Sequence, residues 1–185
     1  GVLDSTIAAL HNCGVKTAIF DGVEPDPTEQ VVDLGIACYH REQCDSVLAF
    51  GGGSSIDAAK VIALGVANNC NSAAAPFFAV PTTAGTGSEA TFIAVISNNE
   101  THAKGPVVDP SLIPKAAALD PELMRGLPPH ITAATGMDAL THAIESYIGR
   151  WETADTNYYG LAACRLVFDN LAEACRNGDN LAARE

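Results

Sequence analysis

The sequence predicts an α/β fold, with a parallel sheet flanked by helices, giving way to an all-helical segment at the carboxyl end. Three observations carry that expectation. Helical and extended patterns alternate over the first 80 residues, glycine- and hydroxyl-rich loops follow two of the apolar strands, and everything after Leu127-Pro128-Pro129 has helical period. Two successive prolines restrict the backbone before them. The division is therefore expected there, with an α/β domain over residues 1–127 and a helical one over 128–185.

Leu3, Ile7 and Leu10 recur at helical spacing ahead of Gly14, a residue suited to ending a helix. Val15 to Phe20 reads as a short buried strand. Asp26-Pro27-Thr28-Glu29 has the form of a helix start, with Asp26 as cap, Pro27 in the first helical position and Glu29 reaching back to the cap. That helix should run to about Arg41. Ser46 to Phe50 is the next strand, Gly51 to Ser55 a turn, and Ile56 to Val66 a helix with Ile56, Ala59, Ala63 and Val66 facing inward. Strand, helix, strand in succession requires parallel pairing through right-handed crossovers. Asn68 to Ala75 is small and polar, and Pro76 to Val80 forms the third strand. Phe92 to Ile96 and Ala116 to Leu119 are further strand candidates, and Asp120-Pro121-Glu122 caps a short helix. Val167 and Leu171 continue the helical period towards the end.

Composition narrows the function. With 185 residues and 48% apolar content the chain can build one domain with a proper core and part of a second. Its net charge of -12 argues against nucleic acid and anionic membrane surfaces, because a phosphate-binding face would have to overcome that field. Small substrates suit it better. Neither an eighteen-residue apolar run nor a basic-apolar-small leader is present, so a cytoplasmic protein is expected. Six cysteines without metal-site spacing are expected to stay reduced and to act as small apolar residues.

Two loops are candidates for anion binding. Gly51-Gly52-Gly53-Ser54-Ser55 joins an apolar strand to a helix, where free backbone amides and the helix dipole meet an anion such as a diphosphate. A tight turn with no ligand would have the same composition. It lacks the Gly-Lys-Ser/Thr of a nucleoside triphosphatase loop and is not a GxGxxG. Pro81-Thr82-Thr83-Ala84-Gly85-Thr86-Gly87-Ser88-Glu89 follows the third strand, and two such loops at the carboxyl ends of parallel strands would line one crevice. Further on, Asp138 and His142 lie four residues apart in Gly136 to Tyr147, one turn apart on one helical face, so both can reach one ion. A surface ion pair is the plainer alternative. The alanines around the pair, with Met137, Leu140 and Ile144, make the helix read as buried, where polar groups need partners.

Taken in order, the Gly51–Ser55 turn, the Pro81–Glu89 loop and the Gly136–Tyr147 helix resemble the iron-containing, group III alcohol dehydrogenases. The similarity runs through nearly all of the chain, including Asp21 to Thr28 and the stretch from Val108-Asp109-Pro110 to Asp120-Pro121-Glu122-Leu123-Met124. It implies a Rossmann-like NAD(P)-binding α/β domain followed by an all-helical metal-binding domain. NAD or NADP and a divalent metal, Fe(II) or Zn(II), would occupy the cleft between them. By position it implies that Gly52, Gly53 and Ser54 contact the pyrophosphate and that Thr82 and Thr83 contact the cofactor near the catalytic cleft. It also implies that Lys104 approaches the cofactor ribose, that Asp26 stands near the adenine, and that Asp138 and His142 are the first two metal ligands. The implied reaction is reversible hydride transfer between a small alcohol and NAD(P), with the metal as Lewis acid on the alcohol oxygen. No acid–base residue is assigned.

The chain departs from the family's metal site of one Asp and three His. His11, His40, His102 and His130 all precede the pair, and the eight residues from His130 to Asp138 span roughly 12 Å of straight helix. Two ligands do not close a metal site. The family's first strand, with the acidic residue that selects NAD over NADP, should precede Gly1, and Asn68 to Ala75 reads as shorter than the family's loop. About half of a complete member is therefore expected, incomplete at both ends, with apolar surface left uncovered and a homo-oligomer as the consequence. A catalytically incomplete nucleotide-binding or assembly module derived from the family is the alternative. A dehydroquinate synthase-like or glycerol dehydrogenase-like relative is a weaker one, opposed by the Asp138-to-His142 spacing and the Pro81–Glu89 loop.

Overall fold

The computed structural model describes residues 1–70 and 74–185, so the middle of the Asn68–Ala75 segment lies outside the described residues. The chain forms two compact units, one of residues 1–81 and 88–118 and the other of 82–87 and 119–185. Leu127, the expected division, falls inside the second unit.

In the first unit α1 (Val2–Asn12) and α2 (Glu29–Arg41) precede β1 (Val47–Gly51), α3 (Gly53–Cys70) and β2 (Phe77–Pro81). A 3-10 turn at Ser88–Ala90, β3 (Ile93–Ser97), β4 (Lys104–Val108), a second 3-10 turn at Pro110–Leu112 and β5 (Ala116–Ala117) follow. β1, β2 and β5 form a parallel sheet in that order, with Val47 opposite Phe77 and Gly51 opposite Pro81. β3 and β4 make an antiparallel hairpin. Ile56, Ala59, Ala63 and Val66 of α3 pack on Ala49, Phe77 and Ala79 of the sheet, the inward face expected from their spacing. The alanines at this contact let the helix axis approach the strands closely, and Phe77 fills the space between.

Several local expectations are corrected. Val15 to Phe20 is not a strand: no ladder bond reaches it among the described residues, and Val15 and Ile19 are exposed. An apolar run needs a neighbouring strand for its amides and carbonyls, and the sheet here is β1-β2-β5. The cap of α2 is Thr28, not Asp26. The Pro27 carbonyl accepts from the Ser97 amide at 2.8 Å and Thr28 bridges Ser97, which keeps the backbone extended until Glu29. Glu29 then accepts from the Asn98 amide nitrogen at 3.2 Å instead of reaching back. The expected turn at Gly51–Ser55 is shorter, since α3 already begins at Gly53. β4, with Gly105 and Pro106 at its centre, has no apolar alternation and owes its form to pairing with β3.

The second unit contains a 3-10 turn at Pro121–Met124, α4 (Pro129–Ile148), α5 (Ala154–Arg176) and α6 (Leu181–Arg184). Asp120 caps the first turn as expected, accepting from the Glu122 amide at 3.0 Å. Thr153 caps α5 by accepting from the Thr156 amide at 3.1 Å, and Thr156 Oγ1 accepts in return from the Thr153 amide at 2.8 Å. α4 turns Thr132, Gly136, Leu140 and Ala143 inward, at helical spacing, and packs along α5. It is not buried all round, because Met137 and Ile144 are exposed on its other side. α5 likewise exposes Tyr158, Tyr159, Leu166 and Phe168. Among the described residues no helix is long and apolar enough to cross a membrane.

α3 also buries a charge. Lys60 is 0% exposed, and its ammonium donates to Thr91 Oγ1 at 2.9 Å and to the Ile93 carbonyl at 2.7 Å. Burial pushes its pKa down, opposed by the negative charges of Asp57 and Glu89. One turn earlier, Asp57 accepts from the Ser88 hydroxyl at 2.5 Å and from the Val95 amide at 2.9 Å.

Two predictions follow from this packing. Phe77→Ala should cost roughly 3–5 kcal/mol by opening a cavity between α3 and the sheet, read from urea unfolding. For Lys60 the unfolded chain holds its proton more tightly than the native state does, so native stability rises with pH through the depressed folded pKa and levels off above 10.5, the ordinary value. Comparing wild type with Lys60→Met at pH 7 and pH 10 should show the difference moving in favour of wild type at the higher pH. A constant difference would contradict a depressed lysine.

Candidate cofactor and metal sites

In the first unit the chain leaves β1 at Gly51, whose φ of +154° lies outside the range ordinary side chains favour. A Cβ there would stand 2.5 Å from Ser55 Oγ, so only glycine lets the first turn of α3 fold back under the strand end. The first helical bond runs from the Ile56 amide to the Gly52 carbonyl at 3.1 Å. The amides of Gly53, Ser54 and Ser55 precede it and have no partner within the helix. They lie at the positive end of an 18-residue helix and are partly exposed, a geometry that takes an anion through backbone donors. Residues 51–55 carry no charged side chain, and Lys60 is committed to the interior. Gly52, Gly53 and Ser54 are thus together in one turn.

Lys104 stands at the start of β4, and its ammonium meets Asp26 Oδ1 at 2.5 Å with both side chains more than half exposed. A pair this exposed contributes at most about 1 kcal/mol, so it can be exchanged for another partner at small cost. Asp26 itself has φ +58°, placed by the extended backbone that follows it.

Gly51 pairs with Pro81, so the loop carrying Thr82 and Thr83 leaves β2 beside the end of β1. Residues 82–87 belong to the second unit, where Gly85 lies so close to α4 that a Cβ would stand 2.5 Å from the Thr135 carbonyl. Thr135, Asp138 and His142 follow one another at spacings of three and four residues on one face of α4. The loop therefore meets the helix on the face that carries the Asp–His pair. His142 Nε2 and Asp138 Oδ1 are 3.9 Å apart, too far for a hydrogen bond, with side chains 53% and 44% exposed. The earlier expectation of a buried pair is corrected, because this side of α4 faces away from α5. A carboxylate oxygen and an imidazole nitrogen at this separation fit two ligands of a borderline divalent metal. No group of three or more metal-ligating side chains occurs among the described residues, so two donors are what this chain brings together.

Sequence reasoning passed over Asp57 and Lys60, and it read Ser88 only as part of the Pro81–Glu89 loop, whereas its hydroxyl donates to Asp57. The signal was present: a lysine and an aspartate three residues apart in a helix otherwise composed for burial require buried partners.

Two family models match the chain. Residues 1–121 match the iron-containing alcohol dehydrogenases, and residues 132–185 match the carboxyl-terminal part of the Fe-containing alcohol dehydrogenase family. It is 41% identical to 1,3-propanediol dehydrogenase of Klebsiella pneumoniae and 38% identical to NAD-dependent methanol dehydrogenase of Bacillus methanolicus, with 100% of this chain and 51% of each relative covered. Among solved structures it superposes on a 1,3-propanediol oxidoreductase with TM-score 0.93 and 41% identity, over 100% of this chain and 51% of that one. A sulfoacetaldehyde reductase from Bifidobacterium kashiwanohense in complex with NAD+ gives TM-score 0.89 and 32% identity, over 99% of this chain and 52% of that one. The chain spans about half the length of the relatives it matches. These matches, covering both units in the order found in the relatives, establish that the chain belongs to the iron-containing alcohol dehydrogenase family.

Proposed function

We propose that this chain is the NAD(P)-binding part, and the beginning of the metal-binding part, of a metal-dependent alcohol dehydrogenase. Residues 1–127 serve the cofactor and 128–185 open the helical metal-binding domain, in a cytoplasmic homo-oligomer. The reaction is the reversible oxidation of a small alcohol to an aldehyde or ketone. The alcohol gives up a hydride and a proton, and NAD(P)+ becomes NAD(P)H. The observation that carries this reading is the Asp138–His142 pair on the face of α4 that meets the Thr82–Gly87 loop.

Each group has a role its chemistry suits. The amides around Gly52, Gly53 and Ser54, with the Ser54 hydroxyl, hold pyrophosphate oxygens. Thr82 and Thr83 donate hydroxyl hydrogens to the cofactor, and Lys104 exchanges Asp26 for a ribose hydroxyl. Asp138 and His142 supply two donors to Fe(II) or Zn(II), and a working centre needs at least one more protein ligand. When bound, the metal supplies Lewis acidity towards the alcohol oxygen. The second reading is a nucleotide-binding or assembly module without catalysis, with which two donors among the described residues are consistent without favouring it.

Ser54→Asp should weaken NADH about tenfold or more in a fluorescence titration, because a new carboxylate beside the amides repels phosphate while remaining acceptable to a helix start. Asp138→Ala and His142→Ala should abolish Fe(II) and Zn(II) uptake by calorimetry and leave NADH affinity within about twofold. Reduction of short aldehydes by the purified chain with metal and NADH supports the dehydrogenase. Nucleotide binding without metal uptake supports the module, and loss of neither property in these variants contradicts both site assignments.

A further inference from the structure

Asp57 and Lys60 lie within two turns of the Gly52–Ser54 turn, and by residue type a lysine and an acid in that place would be read as ligands of a phosphate and its counter-ion. Their contacts lead elsewhere. Lys60 is seven residues beyond Gly53, about 10 Å along the helix, with no exposed surface. It donates to Thr91 Oγ1 and the Ile93 carbonyl. Both carboxylate oxygens of Asp57 are occupied, one by the Ser88 hydroxyl and one by the Val95 amide.

We infer that Asp57 and Lys60 are positioning residues for the Gly52–Ser54 turn, clamping the first turns of α3 to the 88–95 segment without touching what the turn binds. This rests on the nucleotide reading above. Two residues at i and i+3 project from one face of α3, and their four hydrogen bonds span residues 88 to 95. One such contact would leave the helix free to rotate about it. Two, a turn apart and with separate partners, fix both rotation and axial position. The 88–95 segment is itself anchored, since β3 pairs with β4 and Ser97 bridges Thr28. The amides of Gly53, Ser54 and Ser55 are the leading end of the helix so held, and their direction follows from it. Apolar packing of Ile56, Ala59, Ala63 and Val66 on the sheet is non-directional, whereas the hydrogen bonds of the clamp are directional.

The test uses the partners of the clamp, Ser88 and Thr91. Ser88→Ala and Thr91→Val should each speed amide exchange at residues 56–60 about tenfold, leave exchange in α4 and α5 unchanged, and weaken ADP about 5- to 20-fold in calorimetry. Thr91→Ser restores the hydroxyl and should return both readings to wild type. Unchanged exchange in both variants, or faster exchange with unchanged ADP affinity, would falsify the positioning role. Exchange that rises uniformly through all helices would overturn it too, as a general loss of stability. If the wild-type chain binds no ADP, the nucleotide reading falls and takes the positioning role with it. Wild-type binding with variants that match it overturns the positioning role alone.

Discussion

The parallel pairing of β1 with β2 is the constraint from which the first unit follows. Parallel neighbours cannot be joined by a tight turn, so the chain must cross over, and α3 is that crossover. Both strands consequently finish at the same edge of the sheet, with Gly51 beside Pro81. The glycine turn and the threonine loop begin there because topology leaves no other place for them. The pairing also dictates the surface of α3, which must lie on two strands at once and meets them with Ile56, Ala59, Ala63 and Val66. Ligands in open α/β sheets gather at carboxyl strand ends for this reason.

α3 resolves a conflict between tight packing and fixed direction. α3 meets its sheet through Ile56, Ala59, Ala63 and Val66, and of these the alanines add burial but little directional specificity. Asp57 and Lys60 provide the direction that the alanines lack, on another face of the same helix. Burying an ammonium is unfavourable, as the depressed Lys60 pKa indicates, and it is tolerated because its acceptors are in place at 2.7 and 2.9 Å. The outcome is a helix whose amino end points one way.

The elements that the sequence specified locally were legible before the structure. The inward face of α3, the Asp120 cap and the strands expected over Ser46–Phe50 and Pro76–Val80, each found one residue later, depend on periodicity and turn chemistry within a few residues. What was missed depends on distant partners. Val15 to Phe20 has strand composition but no strand to join, and Thr28 replaces Asp26 as cap because Ser97 holds the backbone. β4 could be found only through β3. The Asp138–His142 spacing was legible as a shared helical face, whereas its exposure was not, because apolar residues all round α4 hide which side meets α5. Asp57 and Lys60 differ from these: they are charges inside an otherwise apolar helix, and their partners at residues 88–95 are distant in sequence.

The anion site proposed at Gly52–Ser54, on a chain of net charge -12, presents an apparent contradiction, and distance resolves it. At physiological ionic strength exposed charges more than about 8 Å away are largely screened, so the overall field reaches the Gly52–Ser54 turn weakened. The amides of Gly53, Ser54 and Ser55 act at hydrogen-bond distance, where screening is ineffective, and they add the helix dipole. Local donors therefore decide whether one phosphate group binds. They cannot decide in favour of a long polyanion, whose further charges would meet the net negative charge of the chain beyond the turn. The same arithmetic explains why a backbone-lined turn serves here in place of a lysine. Lys60, the nearest cation on α3, is held by Thr91 and Ile93, and in the proposed site the affinity of the turn would come from the orientation that this holding secures.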